Sequence, residues 1–119
     1  MNHPLPSKTT PCLADSAQQH SHDPRPPRIV TEAAQLFSAL GEPARLRLME
    51  LLYDGPHCVG ELAEETGEGM SAVSQRLKLL HQARLLRRER VGKHIYYSLA
   101  DNHVREIIEN VFDHVEENH

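Results

Sequence analysis

Cysteine is scarce, with Cys12 and Cys58 the only two in 119 residues. Two thiols build no disulfide framework, and in a reducing compartment they stay free or bind metal. Long apolar runs are missing as well. No stretch approaches the roughly 20 apolar residues of a membrane span, and the N-terminus lacks the apolar core of a secretory signal. Together these absences lead us to expect a cytoplasmic protein with no membrane partner. No internal repeat is present, and the length suits one modest domain that gains from a partner subunit in burying enough surface.

Net positive charge is also lacking. The formal balance is -4, which taken alone argues against nucleic acid, because a phosphate-binding surface must be locally positive. The local distribution reverses that inference. Arg76, Lys78, Arg84, Arg87, Arg88, Arg90 and Lys93 face a single acid, Glu89, between Arg76 and His94. The closing segment carries Asp101, Glu106, Glu109, Asp113, Glu116 and Glu117 against only Arg105. One half of the chain suits anions and the other cations.

Residues 1–28 hold Pro4, Pro6, Pro11, Pro24, Pro26 and Pro27 among polar residues, so they read as a disordered arm. The arm nevertheless contains Cys12, His20 and His22, all able to bind soft or borderline metals. Residues 29–119 read as the folded domain. From Thr31 the pattern turns helical: Ala33, Ala34, Leu36, Phe37 and Leu40 recur at helical spacing, Gly41 ends the run, and Pro43 begins a second helix. That helix turns Leu48, Leu51 and Leu52 inward and stops around Asp54, Gly55 and Pro56. A third helix spans roughly Val59 to Thr66 and ends at Gly67.

A fourth helix runs from about Met70 or Ser71 to Gln82 and divides into two faces. Val73, Leu77 and Leu80 line one; Ser71, Ser74, Gln75 and Lys78 line the other. Two β-prone runs, Leu85 to Arg90 and Ile95 to Leu99, follow around Gly92 and make a basic hairpin. The last helix starts near Asn102 with Asp101 as N-cap, and it stacks Val104, Ile107, Ile108, Val111, Phe112 and Val115 on one side.

A short helix, a glycine-containing turn and a polar-faced second helix make a helix-turn-helix, and the hairpin makes it winged. The expected fold class is therefore mainly α with a small β-hairpin. Ser71, Ser74 and Gln75 can hydrogen-bond phosphates or base edges, while Arg76 and Lys78 add charge. Arg88, Arg90, Lys93 and His94 of the hairpin can reach flanking phosphates or the minor groove. A polar helix face is more often simply solvated, and a charged hairpin is often a protected edge. The two together, in this order, favour double-stranded DNA.

The blocks ALGEPARLRLMELL, CVGELAEETG, SAVSQRLKLLHQARLL and GKHIYYSLADNHV resemble successive segments of the ArsR/SmtB family of metal-sensing transcriptional repressors, in its zinc-sensing branch. The resemblance covers about Ala33 to Glu117. It implies a winged-helix homodimer with an antiparallel C-terminal helix pair, whose metal-free form represses an efflux or sequestration gene and whose metal-bound form releases the operator. One departure lies at the start of the recognition helix, where Gly69 stands in place of the family's frequent serine or threonine cap.

His103 and His114 lie eleven residues apart, which puts them at nearly the same angle on a helix but roughly 16 Å apart along its axis. They cannot share an ion within one chain. His114 and Glu117 are neighbours at i and i+3, and Asp101 and His103 adjoin at the helix start. Two such helices paired antiparallel about a two-fold axis bring Asp101 and His103 of one chain to His114 and Glu117 of the other. Two imidazoles and two carboxylates suit tetrahedral Zn(2+), with Co(2+) or Cd(2+) as competitors. The same four residues match the family's C-terminal sensor site. The resemblance also implies a second site from Cys58 and Glu61 with the arm's Cys12, His20 or His22, and a donation from the second His114 ring nitrogen to backbone near Arg84. Two other functions fit parts of the pattern. A redox or other-ligand sensor would work through Cys12 and Cys58. A zinc peptidase fails on spacing, because His119 lies two residues beyond Glu117 and the sequence signals no substrate cleft.

Overall fold

Proline sets the start of the first two helices, because its fixed φ suits the first helical turn and its missing N–H is not needed there. The computed structural model describes residues 23–119. Helix α1 spans Pro27–Leu40 and α2 spans Pro43–Leu51. The first begins four residues before the expected start at Thr31 and takes in Pro27 and Arg28, which the sequence pattern assigns to the arm. The reason is physical: Ile29 carries the spacing of Ala33, Leu36 and Leu40 back by one turn, but the adjacent Pro26 and Pro27 read as breakers, whereas here they stand at the N-cap and in the first turn, where proline is tolerated. Arg45 clamps the corner between the two helices. Its Nε donates to the Ala39 carbonyl at 2.7 Å, while the Glu42 carboxylate accepts from the Arg45 backbone N–H at 3.0 Å.

A single 3-10 turn, Leu52–Asp54, leads into β1 (His57–Cys58), α3 (Val59–Thr66) and α4 (Met70–Gln82). The wing follows as β2 (Leu86–Val91) and β3 (His94–Leu99), and α5 (Asn102–Glu117) closes the chain. Strand β1 is unexpected: two residues carry too short a pattern to read, yet they pair His57 with Tyr97 and Cys58 with Tyr96. The sheet is antiparallel in the order β1-β3-β2. Gly92, at φ 63°, is the first of the two hairpin loop residues, the position that a type II′ turn gives to glycine.

The wing begins one residue later than the apolar pattern suggests because Leu85 finishes α4 instead. Arg84 N–H donates to the His81 carbonyl and Leu85 N–H to the Leu80 carbonyl, each at 3.0 Å, and Arg84 takes a left-handed φ of 64°. These two bonds form a Schellman motif, completed by apolar contact between the fully buried Leu80 and Leu85. The core is assembled from Leu48, Met49, Leu52, Leu62, Val73, Leu77, Leu80 and Leu85, with Tyr97, Val104 and Ile108 joining from the wing and α5. Among the described residues, no helix is long and apolar enough to cross a membrane.

Candidate nucleic-acid interface and metal half-sites

Helix α3, the turn closed by Gly67 at φ 72°, and α4 pack as a helix-turn-helix. The two-faced reading of α4 holds: Val73, Leu77 and Leu80 are fully buried, while Ser71, Gln75 and Lys78 are exposed and Ser74 is half-buried. Gly69 is the N-cap and offers no side-chain bond, so the first turn of α4 presents free backbone N–H groups outward. Arg76 sits apart from this face. Its guanidinium pairs with Glu68 in the turn before α4 and is about a quarter exposed, at 27%. It therefore braces the turn, a role that residue-by-residue reading missed because Glu68 lies outside the helix. Met70, at the open end of α4, is 59% exposed.

In the wing, Arg88 stands opposite Tyr97 and Arg90 opposite Ile95. Strand alternation puts both arginines on the sheet face that carries the buried Leu86, Tyr97 and Leu99. That face packs toward α4 and, beyond the core, becomes a charged extension of it. Lys93 is in the hairpin loop and His94 follows it, its ring 6.4 Å from that of Tyr96.

At the start of α5, Asp101 is the expected N-cap, its Oδ1 accepting from Val104 N–H at 2.9 Å. His103 Nδ1 is 3.9 Å from the same oxygen, and its side chain is almost wholly exposed. At the other end His114 and Glu117 are exposed, and Asn118 donates to the His114 carbonyl at 2.9 Å with its amide 3.5 Å from His114 Nε2. Among the described residues, no three His, Cys, Asp or Glu side chains converge well enough to hold a metal within one chain. The donor set fits a shared ion, because Asp101 uses one carboxylate oxygen as a cap and retains a second. The apolar stripe of α5 divides: Val104 and Ile108 enter the chain's own core, while Val111 and Val115 are 40% and 48% exposed. Helix α1 divides the same way, with Leu40 buried and Phe37 60% exposed.

Cys58 is the N-cap of α3, and Glu61 Oε1 accepts from its backbone N–H at 2.9 Å in a capping box. That bond holds the Glu61 carboxyl below its ordinary range and so keeps it charged. Glu61 Oε2 lies 3.9 Å from His57 Nδ1, a buried nitrogen with no hydrogen-bond partner among the described residues. Sequence reading did not single out His57, since its placement depends on β1. Cys12, His20 and His22 lie outside the described residues.

Residues 42–88 match the family model described as bacterial regulatory protein, arsR family. A transcriptional repressor SmtB homolog of Synechocystis is 46% identical over 86 residues, covering 72% of this chain and 65% of that protein. The match to the transcriptional regulator NmtR of Mycobacterium tuberculosis is 38% identical and covers 74% of this chain and 73% of that one. The chain belongs to the ArsR family. Its fold is similar to the homodimeric winged helix-turn-helix DNA-binding domain of a possible ArsR-family regulator from Mycobacterium bovis, at TM-score 0.75 and 25% identity, covering 83% of this chain and 92% of that one. ArsR members are regulators, so the chain is not an enzyme.

Proposed function

We propose that this ArsR member is a metal-responsive transcriptional repressor of the cytoplasm. Its metal-free homodimer binds double-stranded operator DNA through α4 and the wing, and it releases the DNA on binding zinc, which derepresses a metal efflux or sequestration gene. One observation carries the metal assignment: α5 displays an imidazole and a carboxylate at each end, all exposed, and between the ends leaves Val111 and Val115 uncovered for a second copy. Asp101 and His103 of one chain with His114 and Glu117 of the other would hold each ion, Zn(2+) ahead of Co(2+) or Cd(2+) on donor chemistry. When bound, the ion would cross-link the two α5 helices through these side chains.

Release requires tighter metal binding in the arrangement that cannot grip DNA than in the one that can. A second site from Cys58 and Glu61 with Cys12, His20 or His22 of the N-terminal arm adds binding capacity, the winged domain beginning with α1 at Pro27. The deciding experiment titrates the operator-bound dimer with zinc and follows release by fluorescence anisotropy, in the native protein and in a Cys12→Ser, Cys58→Ser double variant. Stoichiometric release that survives the double change supports the α5 sites. Release abolished by it supports sensing through the thiols instead.

A further inference from the structure

Helix α5 is tied to the body of the winged domain by a polar clamp. Arg105 donates from Nη1 to the Tyr53 backbone carbonyl, and its guanidinium lies 4.8 Å from the Tyr53 ring centroid, over its face. One turn further along α5, Glu109 accepts from the Tyr53 hydroxyl. A single residue is thus held at its carbonyl, its ring and its phenol by two residues at i and i+4 of one helix. The hydroxyl bond to Glu109 also pushes the Tyr53 phenol above its usual range, so it keeps the proton it donates.

Both ends of this clamp matter. Tyr53 follows Leu52, which is fully buried, and its turn runs on through Gly55 and Pro56 into β1 and α3, the first helix of the helix-turn-helix. Arg105 and Glu109 lie on the helix that also displays Val111 and Val115. The remaining hold on α5 is apolar and falls mostly in its first half, at Val104 and Ile108. Beyond them, half-buried Phe112 is flanked by grooves of about 330 and 360 Å³. Apolar burial presses α5 onto the body without fixing its rotation or axial position, because the hydrophobic effect is non-directional. Directional bonds fix both.

We infer that Tyr53, Arg105 and Glu109 are positioning residues for DNA binding: they set the register of α5 on each winged domain and so the separation of the two recognition helices in the dimer. This rests on the proposed reading of a dimer that grips two half-sites. Such a dimer needs its recognition helices about one helical turn of DNA apart, roughly 34 Å. A rigid link makes the second half-site contact intramolecular at high effective concentration, and a loose link dilutes it.

The test uses the metal-free dimer and a duplex that the native protein selects from a random-sequence library. Affinity is measured for the full site, for one isolated half-site, and for full sites with one or two base pairs inserted between the halves. Tyr53→Phe and Arg105→Met should weaken full-site binding on the order of tenfold while half-site affinity stays within about twofold. The variants should also tolerate the insertions better than the native dimer does. Arg105→Lys, which keeps a donor and a charge, should recover part of the full-site affinity. Sedimentation and thermal melting report whether dimer and fold persist. Folded dimers with native full-to-half ratios and native spacing dependence overturn the inference, as do variants that lose full-site and half-site binding in equal measure. A native protein that binds full and half sites alike refutes the dimeric reading itself, a separate failure.

Discussion

Lys78, Arg88, Arg90 and Lys93 are exposed on α4 and the wing, whereas Arg76 is already paired with Glu68. This difference makes the salt dependence of DNA binding a quantitative test. These four cations per chain become about eight in a dimer, and at about 0.9 counterions per neutralised phosphate the slope of log K against log salt is about -7. Raising salt from about 50 to about 200 mM then weakens binding by roughly four orders of magnitude. Lys78→Gln removes two of these contacts per dimer and should bring the slope to about -5. Arg76→Gln should move it less than half as far, because that guanidinium neutralises a carboxylate of its own chain. Anisotropy titrations of a labelled duplex at several salt concentrations, with chelator present, give the slopes directly. Equal shifts for the two variants, or an unchanged slope in Lys78→Gln, would show that α4 meets DNA by a different face.

Asp101 serves as helix cap and proposed metal ligand, and two substitutions separate the roles. Asp101→Asn retains the cap and should melt like the native protein while losing zinc affinity in chelator competition; Asp101→Ala should lose zinc affinity and also about 1 kcal/mol of stability. A second expectation concerns acid. The carboxyls of Glu42 and Glu61 are held below their ordinary range chiefly by the backbone N–H groups of Arg45 and Cys58. Their folded values are depressed, so their contribution is present above the unfolded value of about 4.3 and is lost as pH falls through the folded values. Denaturant midpoints of Glu42→Gln and Glu61→Gln should lie below native at neutral pH and converge with it in acid; a constant gap would refute the capping account.

How much of this was legible in the chain depended on the range of the interaction. The inward face of α4, the Asp101 cap and the glycine of the wing follow from neighbours within a turn or two, and they stand as expected. Helix α1 starts earlier than its pattern suggests because Pro26 and Pro27 look like breakers in the sequence and stand at the N-cap and first turn in the fold. Strand β1 was invisible because its two residues are ordered by β3, nearly forty positions away in sequence. The Tyr53 clamp joins residues 52 and 56 positions apart, and no local pattern announces it. Arg76 was placed with the DNA-facing residues because charge and helix were legible while its partner in the turn was not. The apolar stripe of α5 was visible as one band. Only packing separates the part spent on the chain's own core from the part left over.

Arg84 carries a consequence of its own. A side-chain-bearing residue at φ 64° is costly, and here it is the middle one of the three residues, Ala83 to Leu85, that join α4 to the wing. Replacing it with glycine would relieve that torsion and free the joint. Holding it as arginine leaves reading head and stabilising arm geared to each other, so that a tilt imposed on either is delivered to both.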